Sequence, residues 1–478
     1  MHKLMPVSIV LALAAPFHAF ADSQPATPLD LQGLRQEVAS MRAVYEARLQ
    51  ALEQRLLAAE KVADQALASQ AAASRGPGDS ASVAAPPFVP TAPAIAASPS
   101  PAGGANAFNP AISLILAGGY TRTSQDPANY RITGVQLPVG NSAGPGSRGF
   151  SLAESELSLA ANIDPWLRGV ATIALGSDNS VSVEEAFVQT TSLDRGLTLK
   201  AGRFYSGIGY LNAQHVHTWD FADNPLAYQA FLGGQFGDDG VQLKWLAPTD
   251  RYIELGLELG RGRGFPGSDT GRNSAGMTAL TAHTGGDIGD SQNWQVGLSR
   301  LSTKANEQNV SAVNATGSPV SNAFSGNTSV WVVDGVWKWA PNGNGTQTNF
   351  KLQGEYLRST RRGSLVYDVG NANVPDAYRA AQSGWYLQGV YQFMPRWRVG
   401  LRTERLNPGS PDLGINSASL QASDYRPKKN TLMLDYNPSE FSRVRLQFAQ
   451  DRAQQGMTDN QIFLQYQMSL GAHGAHRY

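Results

Sequence analysis

From residue 108 onward the chain is patterned with a period of two. Trp385, Leu387, Gly389, Tyr391 and Phe393 alternate with Tyr386, Gln388, Val390 and Gln392, and Val444, Leu446 and Phe448 alternate with Arg443, Arg445 and Gln447. Ile462, Leu464, Tyr466, Met468 and Leu470 alternate with Gln461, Gln465, Gln467 and Ser469. Successive side chains of a strand point to opposite faces, so each run is a strand with one apolar and one mostly polar face. Strands are expected near 111–121, 149–161, 165–177, 180–191, 196–206, 239–247, 250–260, 274–286, 292–304, 327–340, 347–359, 383–394, 395–406, 429–437, 440–452 and 460–470. Their connections alternate in length. Short ones such as Ile163-Asp164-Pro165, Asn342-Gly343-Asn344-Gly345 and Asn437-Pro438-Ser439-Glu440 are rich in turn residues. Long ones near 122–148, 207–237, 305–326, 360–382 and 407–427 fall between them. Short turns on one rim and long loops on the other predict an all-β chain: a transmembrane antiparallel β-barrel of about 16 strands over residues 108–478. An even count puts both termini on the short-turn side. A barrel of that size encloses an aqueous lumen instead of a side-chain core.

Upstream the period changes. Leu31, Leu34, Val38, Met41 and Tyr45 follow a three-four spacing that resumes, after one four-residue step, at Leu49, Leu52, Leu56, Ala59, Ala63 and Ala66. Charged and amide residues fill the other positions, so residues 22–75 read as an N-terminal α-helical coiled-coil segment. Its seam spans roughly 50 Å at 1.5 Å per residue. Residues 76–107 are dominated by Ala, Pro and Ser and read as a semi-extended linker. Residues 1–21, with Lys3, the apolar run from Met5 to Ala15 and Ala19-Phe20-Ala21, have the form of a cleavable signal peptide. No later stretch offers eighteen consecutive apolar residues, so a membrane helix is not expected and a closed barrel is the remaining way to span a bilayer.

Composition narrows the chemistry. There is no cysteine, which excludes disulfides and thiolate sites. Lys+Arg and Asp+Glu are both 38, and that balance argues against a nucleic-acid partner. No serine sits in a recognisable nucleophile setting and His283 has no evident partner, so enzymatic activity is not expected.

The stretch Glu185-Ala186-Phe187-Val188-Gln189, a turn, then Leu197-Thr198-Leu199-Lys200-Ala201-Gly202-Arg203-Phe204 resembles a block of the phosphate-selective porins and their relatives. That resemblance implies a trimeric sixteen-stranded outer-membrane channel whose third long loop folds into the lumen. The segments Gly209-Tyr210-Leu211-Asn212-Ala213-Gln214-His215-Val216-His217-Thr218-Trp219-Asp220-Phe221, Asp238-Asp239-Gly240-Val241-Gln242 and Ser469-Leu470-Gly471-Ala472-His473-Gly474-Ala475-His476 are similar to a family labelled zinc-regulated (TonB-dependent) outer-membrane receptors. Energised receptors of that kind need about twenty-two strands and a plug. The roughly 370 residues after the linker supply too little chain for both.

The third long loop, from Ser206 to Gly237, holds the candidate metal ligands His215, His217, Asp220 and Asp223. Imidazole and carboxylate suit a divalent ion such as zinc. The expectation is that no cofactor is required and that any zinc is bound transiently. Lys200, Arg203, Arg398, Arg402, Arg443 and Arg445 are candidate pore-lining cations, offset by Glu154, Glu156, Glu184 and Glu404. The function expected is passive uptake of small hydrophilic solutes or ions through the bacterial outer membrane, with a link to zinc or other divalent metals. Expected partners are outer-membrane lipid, a homotrimer, and peptidoglycan through a periplasmic arm. Two other readings stay open: a structural tether whose coiled-coil arm reaches the cell wall, and a receptor with energised uptake.

Overall fold

The computed structural model describes residues 110–471, apart from 140–142, 270, 272 and 421. The chain divides into two units, residues 1–86 and 87–478, and the described residues belong to the second. The expected signal peptide, coiled coil, linker and His473/His476 tail lie outside the described residues.

The strands are β1 (Ala111–Thr123), β2 (Leu137–Pro138), β3 (Gly149–Leu152), β4 (Ser155–Asn162), β5 (Leu167–Leu175), β6 (Val181–Thr190), β7 (Leu197–Tyr205), β8 (Gly237–Leu246) and β9 (Tyr252–Gly260). They continue as β10 (Met277–Ile288), β11 (Gln292–Val313), β12 (Pro319–Trp339), β13 (Asn349–Tyr367), β14 (Val374–Met394), β15 (Trp397–Asn407), β16 (Lys428–Ser439), β17 (Ser442–Arg452) and β18 (Asp459–Gly471). Each neighbouring pair is antiparallel, and β1 closes the ring on β18 from Ser113↔Gly471 to Thr123↔Gln461. Two irregularities reduce eighteen strands to sixteen staves. β3 and β4 lie end to end against β1, and β2 stands off the wall with only Val310 and Ser311 of β11 for partners. The wall is thus the closed, sixteen-stave antiparallel barrel that alternation and loop lengths predict.

Its polarity is inverted relative to a water-soluble domain. On β16 and β17, Lys429, Thr431, Asp435, Arg445, Gln447 and Asp451 are buried inside, whereas Leu432, Leu434, Leu446 and Phe448 are exposed outside. On β14 the same division leaves Trp385, Leu387, Tyr391 and Phe393 outside and Gln382, Tyr386, Gln388 and Gln392 inside. An apolar exterior over a polar interior is stable when the exterior faces hydrocarbon. No described helix is long and apolar enough to cross a membrane.

Two expected loops prove to be strand. β11, β12, β13 and β14 run for 22, 21, 19 and 21 residues, so the connections expected at 305–326 and 360–382 shrink to turns at residues 314–318 and 368–373. A tilted strand needs only about 9–11 residues to cross a bilayer, so roughly half of each ladder extends past the rim. A second apolar cluster, including Val310, Phe324, Leu365, Tyr367, Tyr378, Leu413 and Leu420, holds the extension together. Polar residues between these apolar ones hid the strand pattern in the sequence.

The inversion is directly testable. Leu401 on β15 is 64% exposed and faces outward. Replacing it with Arg should lower folding stability in lipid vesicles by about 2–4 kcal/mol, against a much smaller loss for Leu401→Ala. Equal denaturant midpoints for the two variants would mean that this surface does not contact lipid.

Candidate functional site

Residues 206–236, between β7 and β8, turn into the barrel instead of standing above it. Their neck is stapled first. Asn212, fully buried, donates to the carbonyls of Ser206 and Phe236 at 2.8 Å each and accepts from the Phe236 amide at 2.8 Å. Glu258 of β9 accepts from the Ser206 hydroxyl at 2.5 Å and the Gly207 amide at 2.8 Å. Gly209, at φ +65°, then brings the backbone against the wall, where a Cβ would collide with Glu355 and crowd the Tyr228 hydroxyl. A 3-10 turn (Val216–Thr218) and a seven-residue helix α1 (Leu226–Leu232) follow. Every residue of α1 is buried, and it packs on β13, β14 and β15 through a cluster that includes Leu301, Val332, Leu357, Tyr386 and Leu406. The left-handed Gly233 ends the helix.

One side of the lumen is basic. Asp220 pairs with Lys351 at 2.8 Å and Arg398 at 3.4 Å; Asp223 pairs with Arg402 at 2.8 Å and Lys429 at 2.6 Å and accepts from Gln447 at 2.8 Å. Arg443 donates to the His217 carbonyl at 2.9 Å, and Arg445 to that of Trp219 at 3.0 Å. Carboxylates of the wall bind the loop too. Glu404 accepts the first helical amide, Leu226, at 2.5 Å, while Glu355 accepts from the Leu211 amide at 2.9 Å and the Tyr228 hydroxyl at 2.8 Å. Burial opposes ionisation of Asp220 and Asp223, but the surrounding cations outweigh it and hold both carboxyls well below the usual range: Lys351 and Arg398 for Asp220, Arg402 and Lys429 for Asp223.

The other side is acidic. His215 Nδ1 lies 3.2 Å from both Glu156 and Glu184, and its Nε2 lies 3.0 Å from Glu185. His217 Nδ1 lies 2.8 Å from Glu156, and the two imidazoles stack with centroids 5.6 Å apart. Burial disfavours a charged His215, yet its contacts with Glu156, Glu184 and Glu185 prevail and raise its pKa well above that of a free imidazole. The loop is thus strung between a basic wall and an acidic one. The first long connection seals it from above, with the Tyr130 hydroxyl and the Gly144 amide each 3.2 Å from Gln229 Oε1 of α1.

The four expected metal ligands are not brought together. His215 and His217 share a cage with Glu156, whereas Asp220 and Asp223 are consumed by basic partners on the opposite wall, where a cation would have to displace lysine and arginine. Among the expected pore-lining cations, Arg398, Arg402, Arg443 and Arg445 clamp the loop instead of lining an open path. Arg203 is paired with Asp239 at 2.7 Å, and Lys200 lies over the Phe187 ring at 4.2 Å. His283 has a neighbour after all, Asp334 at 3.6 Å. Lys351 and Lys429 escaped sequence reasoning because their loop partners lie 131 and 206 positions away, and Asn212 and Asp435, with partners 6 to 37 positions away, because no local pattern marks them. Glu185 was visible only as part of a family-like block.

No protein-family model matches the sequence. An uncharacterized protein of Aquifex aeolicus (strain VF5) is 30% identical over 397 residues, spanning 78% of this chain and 80% of that protein. The chain belongs to the family of that Aquifex protein. Among solved structures, this family member superposes on the outer membrane channel DcaP of Acinetobacter baumannii with a TM-score of 0.47 and 13% identity, covering 75% of this chain and 96% of that one. For an anion-selective porin from Comamonas acidovorans the TM-score is 0.46 and the identity 10%, over 76% of this chain and 99% of that one. Superpositions this loose transfer neither substrate nor selectivity. None of them supports the receptor resemblance drawn from the histidine segment.

The ion pairs set a pH window for the loop. Because the Asp220 and Asp223 pKa values are depressed in the fold, their contribution is complete above the unfolded value of about 4 and fades only as pH falls through the folded values. Hydrogen-exchange protection across residues 206–236, corrected for intrinsic rate, should therefore be flat from pH 7 to about 5 as far as these two pairs are concerned, and fall in strong acid. At neutral pH, Asp223→Ala should strand Arg402 and Lys429 and weaken loop attachment by about 3 kcal/mol, with strand protection unchanged. Unaltered loop exchange in that variant would show that the pairs do not hold it.

Proposed function

We propose that the protein is an outer-membrane, porin-like channel for passive passage of small hydrophilic solutes or ions. One observation carries this reading: a closed sixteen-stave wall, apolar outside and charged inside, whose interior is crossed by the loop at residues 206–236, fastened with ion pairs and hydrogen bonds. A wall whose only role was anchorage would have no use for a charged interior of this size, since each buried ion must be matched by a partner. A loop that narrows the lumen is a device for selecting solutes by size and charge. A cavity of about 290 Å³ lies beside the loop, between Pro138, Leu232, Gln235, Phe236 and Phe265.

Because the basic and acidic side chains around the loop are matched with partners, the reading favours modest ion selectivity. Trimeric assembly, a periplasmic coiled-coil arm and contact with the cell wall belong to the same proposal and follow from the sequence pattern of residues 22–75 and the porin resemblance.

Planar-bilayer recording of the refolded full-length protein tests it. Stepwise insertion should give ohmic unitary currents, with less than about a tenfold preference between potassium and chloride. Replacing Asp220 and Asp223 together with Asn should enlarge or destabilise the unitary current by freeing the loop. Folded, inserted protein that passes no current in either form would overturn the channel reading in favour of an anchoring role.

A further inference from the structure

The acidic side of the lumen is built with more care than loop anchorage requires. Two departures from regular strand geometry converge there. The register between β5 and β6 slips so that Thr172 faces Glu185 while Ile173 faces Val183, leaving Glu184 as the extra residue of a bulge. Bulges re-aim side chains, and this one lets two consecutive carboxylates, Glu184 and Glu185, both reach His215. The second departure is the break between β3 and β4. Gly118 faces Leu152 and Ile115 faces Glu156, a slip of one residue, with Glu154 in the gap and Glu156 at the head of β4.

Three donors lie within reach of one ion, since Glu156, His215 and His217 each offer an atom within 4.8 Å of the other two. His215 Nδ1 is 3.2 Å from Glu156 Oε2 and 3.2 Å from Glu184 Oε2, and His217 Nδ1 is 2.8 Å from Glu156 Oε1. Ligands about 2.0–2.1 Å from a tetrahedral zinc ion lie roughly 3.3 Å from one another, close to these separations. Glu156 Oε2 is buried, on a carboxylate only 1% exposed, and has no partner beyond the His215 imidazole at 3.2 Å. The outer contact fits as well. His215 turns Nδ1 into the cage and Nε2 onto Glu185 at 3.0 Å, the carboxylate–imidazole arrangement that orients metal-bound histidines. The carboxyl groups of Glu154, Glu156, Glu184 and Glu185 surround the two imidazoles, and an ion binding there would take the place of the proton on His215. Asp220 and Asp223 take no part.

We infer that His215, His217 and Glu156 form a binding site for one divalent transition-metal ion, oriented by Glu185, on the wall of the lumen. Nitrogen and oxygen donors in this ratio suit zinc or cobalt and disfavour calcium and magnesium, which take oxygen shells. A bound ion would tie the loop at residues 215–217 to β4 and so fix one edge of the constriction. The site rests on the loop and the wall alone, so its failure would leave the channel reading standing, and the absence of conductance would leave the site standing.

Cobalt titration of the refolded full-length chain in detergent tests the assignment. The parent should develop the visible d–d absorption of four-coordinate cobalt, saturating at one ion per chain and bleached by zinc. His215→Ala with His217→Ala should weaken binding at least tenfold, with sheet circular dichroism checking the fold. Glu156→Gln, which preserves shape, should also weaken it about tenfold and supplies the answer should the double variant not fold. His473→Ala with His476→Ala should bind as the parent does. No cobalt absorption in the folded parent, parent-like affinity in the folded cage variants, or loss of binding in the tail variant would each overturn the proposal.

Discussion

Everything in this molecule follows from the requirement that no backbone amide or carbonyl be left unpaired in hydrocarbon. A sheet meets that requirement only by closing, and closure is the pairing of β1 with β18 over eleven positions. Once the ring is closed, the exterior has to be apolar and the interior is released to be polar. Arg445, Lys429 and Glu404, each no more than 1% exposed, can sit inside because the lumen, unlike a soluble core, is free to be charged.

A charged interior then has to be neutralised locally, and the loop at residues 206–236 does this. It offers Asp220 and Asp223 to lysines and arginines on β13, β15 and β16, and His215 and His217 to glutamates on β4 and β6. Its apolar helix fills the space between, against Leu357, Tyr386 and Leu406. The loop is therefore complementary to the wall in charge and in shape, and neither side would be stable with its present residues without the other.

Much of this was legible beforehand. Period-two runs such as 462–470 and turns such as Asn437-Pro438 located the staves other than β11 to β14 to within a few residues, because burial on one face and lipid on the other leave a plain trace in sequence. The inward course of the third loop was legible through resemblance alone. The cage around His215 was half legible: His-x-His announces ligands, but Glu156 and Glu184 are 59 and 31 positions away and arrive through two register slips that no local pattern encodes. Asp220 and Asp223 misled for the same reason, since proximity in sequence outweighed the cations that closure delivers from β13, β15 and β16. The extended ladders of β11 to β14 were missed where polar residues interrupt the alternation.

Those ladders also make the barrel mechanically lopsided. Four adjacent strands continue past the rim on one side, and a two-stranded ribbon in water is marginal unless something braces it. The brace is the small cluster around Phe324, Leu365 and Tyr378, with Leu413 and Leu420 from the connection after β15 leaning in as a buttress. Because that cluster shares no residue with the core around α1, opening of the turret need not disturb the loop. The turret can yield to heat or force while the wall in the bilayer stays shut.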